Sequence, residues 1–254
     1  MDCRKICLCG IALSVLAFAA LPSRAVNANG GAVPYRVSLS GIGIGDLALE
    51  VTRGPDFYAV EADSSYRVLF WSGEINGQTI GQIGSAGPEP AQFRISSVSD
   101  NPSSTRIDFD PSRGPTDWQR IPPAPAEWSE GRLALRDEHL EGALDPLTAL
   151  SALALVAEPV SPASLCDREI RVFTGFVVFA LVLEGAGEAE TAGIACAARY
   201  QPLSGHRAGS SMVSRLTEPG AIDVSFLPAA DGTWHLERIA LPTSAGTLAV
   251  TIQE

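Results

Sequence analysis

From Tyr35 onward the chain alternates apolar and polar residues with a period of two. Tyr35, Val37 and Leu39 fall on one side of an extended backbone and Arg36, Ser38 and Ser40 on the other. Leu47, Leu49 and Val51 are set against Ala48, Glu50 and Thr52 in the same way. This period predicts half-buried strands. Alternating or β-rich segments recur at 57–63, 93–98, 106–110, 168–173, 194–200, 222–227, 234–241 and 247–252, with Asp231-Gly232 as a hairpin signal between two of them. Within 234–241, Trp234 and Leu236 face one way and Ile239 and Leu241 the other, so a bulge is expected near Arg238.

Two segments break the alternation. Asp145 is a good N-cap and Pro146 suits the first helical position, and LTALSALALVA then runs to Glu158, before Pro159. Leu147, Leu150, Leu153 and Ala154 make one stripe of this predicted helix. The other side offers only Thr148, Ala149, Ser151, Ala152 and Leu155, so the helix must be buried, inside the curve of a sheet. It is too short to span a bilayer. The second segment, Ile170 to Leu183, is apolar on both strand faces after Gly175. Phe176, Val178, Ala180 and Val182 share one face, and Val177, Phe179, Leu181 and Leu183 the other. One face can pack on the helix; the other needs a second helix, a partner or an apolar ligand.

Punctuation between these elements narrows the chemistry. The stretch GIGIG at Gly41–Gly45 has the spacing GxGxG and a strand after it, whereas a dinucleotide fingerprint needs GxGxxG and a helix. Its glycines therefore read as a hairpin corner. Between Pro111 and Arg132 five prolines interleave with Trp118 and Trp128, which predicts a surface loop held down by the tryptophans, or a lid, and excludes a central strand.

The N-terminus carries Arg4 and Lys5, an apolar run from Ile6 to Leu21, then Pro22 and small residues, the pattern of a secretory signal peptide. Cleavage after Ala25 or Ala28 fits, giving a leader of residues 1–25 and one domain over 26–254, with no stable membrane span after cleavage. Its removal takes away three cations and one acid, so the mature chain is more acidic by two charges than the formal −11 of the whole, and it holds no lysine. Such a surface repels phosphate backbones, which disfavours nucleic acid as a partner. Three of the five cysteines leave with the leader; Cys166 and Cys196 then face an oxidising compartment, where a disulfide is expected. Closing a loop of about thirty residues would stabilise the fold by roughly 3 to 4 kcal/mol.

Reactive chemistry is sparse. His139 and His235 each precede a glutamate by two, Glu141 and Glu237, which on a strand would share a face, yet a catalytic zinc needs three converging ligands. No GxSxG elbow exists, and GSAG at Gly84–Gly87 and GSS at Gly209–Ser211 read as turns. The residues thus point away from an enzyme and imply no cofactor and no metal.

Several motifs recur in a fixed order: DPLTAL at Asp145–Leu150, CDR at Cys166–Arg168, the turn Val172-Phe173-Thr174-Gly175, and C-x3-Y-x-P-x2-G from Cys196 to Gly205. Trp234, Arg238, Pro242-Thr243 and Gly246 close the series. In this the chain resembles the secreted proteobacterial domain-of-unknown-function family 3108, whose members are similar in fold to the lipoprotein carrier LolA and receptor LolB. The resemblance implies an all-β fold with a few helices: a curved antiparallel sheet forming an open half-barrel, with a buried helix in its concave side. It also implies a periplasmic envelope role with no assigned chemistry, although Phe176–Phe179 replaces the polar and basic residues usual after the turn. The function expected is non-enzymatic binding of a lipid, acyl chain or lipoprotein in an apolar groove made by Leu147, Leu150, Phe173, Phe176, Val178, Phe179, Leu181 and Trp234. The alternative is a structural or interaction module that binds an envelope protein through an open sheet edge or the face at 176–179.

Overall fold

A computed structural model describes residues 31–68, 71–85, 87–125, 130–156, 161–189, 193–228 and 234–253. The chain folds as a long antiparallel meander. The first seven strands are β1 (Val33–Leu39), β2 (Ile42–Arg53), β3 (Phe57–Val68), β4 (Trp71–Gly84), β5 (Gly87–Val98), β6 (Ser103–Asp110) and β7 (Gly114–Ile121). Then come α1 (Asp137–Leu140), α2 (Pro146–Ala154), the short β8 (Leu155–Val156), α3 (Pro162–Leu165), β9 (Arg168–Phe173), β10 (Val178–Glu188) and β11 (Ile194–Ser204). The chain closes with α4 (Ser211–Leu216), β12 (Ile222–Pro228), β13 (Trp234–Thr243) and β14 (Gly246–Ile252). The sheet order is β7-β6-β5-β4-β3-β2-β1-β14-β13-β12-β11-β10-β9, with β8 paired to β13. The sheet is all but closed into a barrel, because its two end strands meet through side chains: the rings of Trp118 on β7 and Phe173 on β9 lie 5.0 Å apart at 80°. Leu144 pairs with the outer edge of β9, donating to the Arg171 carbonyl at 2.9 Å and accepting from the Phe173 N–H at 2.8 Å. That edge is thus partly covered by the protein's own backbone.

The buried helix lies in the concave side, as its all-round apolar sequence requires. Leu147, Thr148, Ala149 and Ser151 are buried, against β3, β4, β5, β9 and β13. It ends at Ala154, short of Glu158, because the next two residues pair with His235 and Trp234. Its presence explains why β4 has no apolar alternation to read. Beyond Ile75, the inward positions of β4 are Gly77, Thr79 and Gly81, stripped to make room: a Cβ on Gly77 would lie 2.9 Å from Leu147 Cδ1, and one on Gly81 2.6 Å from the Tyr58 ring. Gly77→Val is expected to push the helix outward and cost about 1–3 kcal/mol by overpacking, read as a lower urea midpoint.

Other departures have equally local causes. The corner after β1 is Ser40-Gly41, both at positive φ (50° and 82°), the twist a tight hairpin prefers; Gly43 and Gly45 instead continue β2. Residues 114–121, expected as part of a proline-rich loop, form β7, an edge strand that tolerates Pro115 because its outer side is unpaired. The rest of that loop falls partly outside the described residues. The register of β12 and β13 shifts between Ser225 and Phe226, skipping Glu237, which is the bulge that the phase change near Arg238 signals. Asp231-Gly232 lies outside the described residues, though β12 and β13 pair as a hairpin requires.

Both faces of β10 are covered from within the protein. Leu181 and Leu183 are buried on one face, and Val178 and Ala180 on the other. Arg171 lies directly across from Ala180, and its Nη1 donates to the Glu141 carbonyl at 2.9 Å, so the turn after α1 runs along that second face. Cys166 and Cys196 form a disulfide, with Cα atoms 5.2 Å apart. Since β10 lies between β9 and β11, the bridge straps the chain entering β9 to β11 across it.

Candidate functional site

The antiparallel meander gives the barrel two ends. At one of them lie the turns that follow β1, β3, β5, β9, β11 and β13, together with the end of β7. Trp234 and Pro228 mark the other. The eight residues of the expected groove are divided between buried and half-buried positions. Leu147, Phe173, Val178 and Leu181 are buried, while Leu150, Phe176, Phe179 and Trp234 are half-buried. Trp234 sits at the end opposite Phe176.

Phe176 and Phe179 do meet a cluster. The Phe179 ring stacks on Tyr200 at 4.5 Å, and the Arg132 guanidinium lies 4.4 Å from the centre of the Phe176 ring. Tyr200 Oη is 2.5 Å from His206 Nε2, and Arg132 Nη1 donates to the Gly205 carbonyl at 2.7 Å. Gly205 is required there: its φ is +76°, and a Cβ would meet the Phe176 carbonyl oxygen at 2.2 Å. Burial holds the His206 imidazole below its ordinary pKa; the Ser204 backbone opposes this and the Arg132 charge adds to it. Burial likewise raises the Tyr200 phenol. A neutral imidazole held against a neutral phenol is a packed hydrogen-bonded pair.

The other polar cluster is internal. Asp145 Oδ1 accepts from the Leu147 and Thr148 N–H groups at 2.9 and 3.0 Å, capping α2. Its Oδ2 accepts from Thr148 Oγ1 at 2.6 Å and Thr79 Oγ1 at 2.9 Å, and Tyr58 Oη lies 2.8 Å from Thr148 Oγ1. Burial raises the Asp145 pKa despite these donors, and raises Tyr58 as well. Every acceptor site of the carboxylate faces a protein donor, so the cluster pins the helix to β3 and β4.

Among the described residues, clefts open elsewhere. One of about 610 Å³ lies over β1–β4 and includes Arg36, Asp46, Asp63 and Glu74; one of about 420 Å³ lies over β4–β7 and includes Gln78, Arg94, Arg106 and Gln119. Another, about 330 Å³, opens at the seam between Phe109, Leu144 and Ile170. None is lined by a residue of the expected groove. His139 lies in α1 rather than on a strand, 3.7 Å from Glu138. Among the described residues no three histidine, cysteine or carboxylate side chains gather as a metal site would need, and no helix is long and apolar enough to cross a membrane.

The surface feature that sequence reasoning passed over is apolar. Nine large apolar side chains are exposed among the described residues, and five of them, Ile42, Trp71, Val98, Ile121 and Leu133, stand at the end of the barrel that carries Phe176. A signal was present in the sequence: residues 68–71 read VLFW, and Val68 pairs with Trp71. A run of four apolar residues in the sequence between two strands departs from the polar links usual there, which is where function is to be sought. In comparisons with known proteins the chain matches no family model, no curated protein and no solved structure.

Proposed function

We propose that this is an exported, periplasmic, non-enzymatic protein of the cell envelope that binds apolar material, a lipid, an acyl chain or a lipoprotein, at one end of its barrel. The observation that carries the reading is the distribution of apolar surface. The interior is occupied by α2 and by core side chains such as Phe93, Ile107, Phe226 and Leu236, whereas Ile42 and Trp71 are 72% and 64% exposed at a common end. Exposed apolar residues collected in one region mark an interaction site. The N-terminal leader pattern, the disulfide and the order of motifs similar to the secreted family all support an envelope setting. The half-buried Phe176 and Phe179, at the same end, offer a place for an acyl chain to begin its contact.

A second reading, a protein-interaction module without a small ligand, is favoured by the filled interior. Photo-crosslinking of the purified chain with an acyl probe separates the two. The first reading predicts label on peptides containing Trp71, Val98 or Phe176, together with a co-purifying amphiphile in native mass spectrometry of the periplasmic fraction. No label and no amphiphile, with a protein partner captured at the same residues, would reject it in favour of the second.

A further inference from the structure

Resting on the reading above, we infer that the cleft over β4–β7 holds the anionic head, a carboxylate or a phosphate, of a single-chain acyl amphiphile. The head lies between Arg94 and Arg106, and the chain runs from them along Ile121 toward the apolar end of the barrel.

The fold leaves an electrostatic cost standing at this place. Arg94 on β5 and Arg106 on β6 are direct cross-strand partners. Both are exposed on the outer face of the sheet, because the alternate residues Phe93 and Ile107 are buried. Like charges so placed, with Cβ atoms about 5 Å apart, repel one another. Asp108 relieves one of them: it accepts from Arg106 Nη2 at 2.5 Å and Nε at 3.2 Å, and from Gln92 Nε2 at 2.8 Å. The Gln92 hydrogen bond chiefly, then Arg106 and the Arg94 charge, hold Asp108 below the usual carboxylate range against the opposing effect of burial. Among the described residues Arg94 itself makes no hydrogen bond and no ion pair. An oxyanion between the two guanidinium groups converts their repulsion into charge-assisted contacts, and the flat arginine fork suits the paired oxygens of a carboxylate or phosphate.

The surroundings suit the same group. The cleft, about 420 Å³, is lined by polar donors and by no acid. Gln78 stands across from Arg94, Gln119 across from Arg106, and Ser96 pairs with Ser104 one step along the same face. The outward carboxylates of the flanking strands, Glu61 and Asp63 on β3 and Asp117 on β7, lie outside the lining, and Glu61 accepts from Gln78 Nε2 at 3.2 Å. In a chain of formal charge −11, a recess lined by two arginines reverses the local sign and draws in anions that the rest of the surface repels.

Polarity along the cleft identifies what the anion is attached to. On the outer face β5 runs Arg94, Ser96, Val98, and the neighbouring strands run Arg106 to Ser104 and Gln119 to Ile121. Charge thus gives way to hydroxyl and then to the exposed Ile121 and Val98, two of the residues at the apolar end. Two residues of strand span about 7 Å, so a head on the arginines places the first carbons over the serines and later ones at Ile121, with Val98 about 14 Å from Arg94. Glu74 faces Val98 from β4, which keeps the path on the β5–β7 side.

The test is isothermal titration of the purified chain at about pH 8, where both heads are ionised. Decanoate and decyl phosphate are the probes, with decanol lacking the charge and inorganic phosphate lacking the chain. At least one of the two anionic amphiphiles is expected to bind roughly tenfold more tightly than decanol, and the tighter of them names the head. Arg94→Gln is expected to remove that advantage and leave decanol binding unchanged. Ile121→Ser should weaken the alcohol and the anions alike, and Arg36→Gln, in the cleft over β1–β4, should change nothing. All three positions are exposed, so circular dichroism and the urea midpoint should match the wild type. Equal affinity for decanol and both anions, or an Arg94→Gln chain that binds them like the wild type, overturns the inference and leaves the acyl-binding reading standing. Inorganic phosphate binding as tightly as decyl phosphate also overturns it, since the chain then adds nothing. Binding of none of the probes counts against this inference and the reading beneath it together.

Discussion

Replacing Asp145 with alanine is expected to lower the unfolding free energy by about 2–4 kcal/mol, measured by urea denaturation. Loss of the helix cap contributes about 1 kcal/mol, and the stranded Thr79, Thr148 and Tyr58 hydroxyls cost about 1–3 kcal/mol more in a site that water does not reach. The effect is large because one carboxylate joins three elements: it caps α2 and accepts from Thr79 on β4, while Tyr58 on β3 reaches it through Thr148. The same residue gives a pH signature. Burial raises its folded pKa above 3.8, so the folded protein retains a proton that the unfolded chain releases. The stabilisation this provides is complete below the unfolded pKa and is lost as pH rises through the folded one. Asp145→Asn removes that titration, and the margin of wild type over variant should shrink as pH rises from about 4. A margin constant across that range would show that Asp145 titrates alike in both states.

Removing the disulfide with Cys166→Ser and Cys196→Ser is expected to cost roughly 3 to 4 kcal/mol, because the thirty-residue loop it closes gains freedom mainly in the unfolded chain. The measurement is the urea midpoint of the double variant against wild type with and without reductant. Reductant should bring the wild type to the variant's midpoint and leave the variant where it is. Because the bridge straps β9 to β11, its loss should speed exchange of β9 amides more than those of β2 or β3.

Much of this architecture is legible in the sequence. Alternation at 35–40 and 47–52 marked β1 and β2, and the all-round apolar character of Leu147–Ala154 required a helix with protein on every side. Spacing alone did not reveal β4, whose inward face beyond Ile75 is glycine and threonine because the helix occupies the volume its side chains would have filled. Nor did it reveal β7, where prolines that exclude a central strand are compatible with an edge. The doubly apolar β10 illustrates a limit of pattern reading. A strand covered on both faces by its own chain has the same sequence as one waiting for a ligand, and only the path of the turn after α1 tells them apart. The candidate surface was legible in principle as the apolar run VLFW at 68–71, but the run has meaning only once the register places Ile42 and Val98 at the same end as Trp71.

Hydrogen exchange with and without added acyl lipid tests the central claim most directly, that the helix fills the barrel and the apolar end makes the contact. The account predicts slowed exchange in peptides covering the β1–β2, β3–β4 and β5–β6 turns, with α2 equally protected in both conditions. Unchanged turns, together with altered protection in α2 or the β9–β10 hairpin, would contradict it and place the ligand inside.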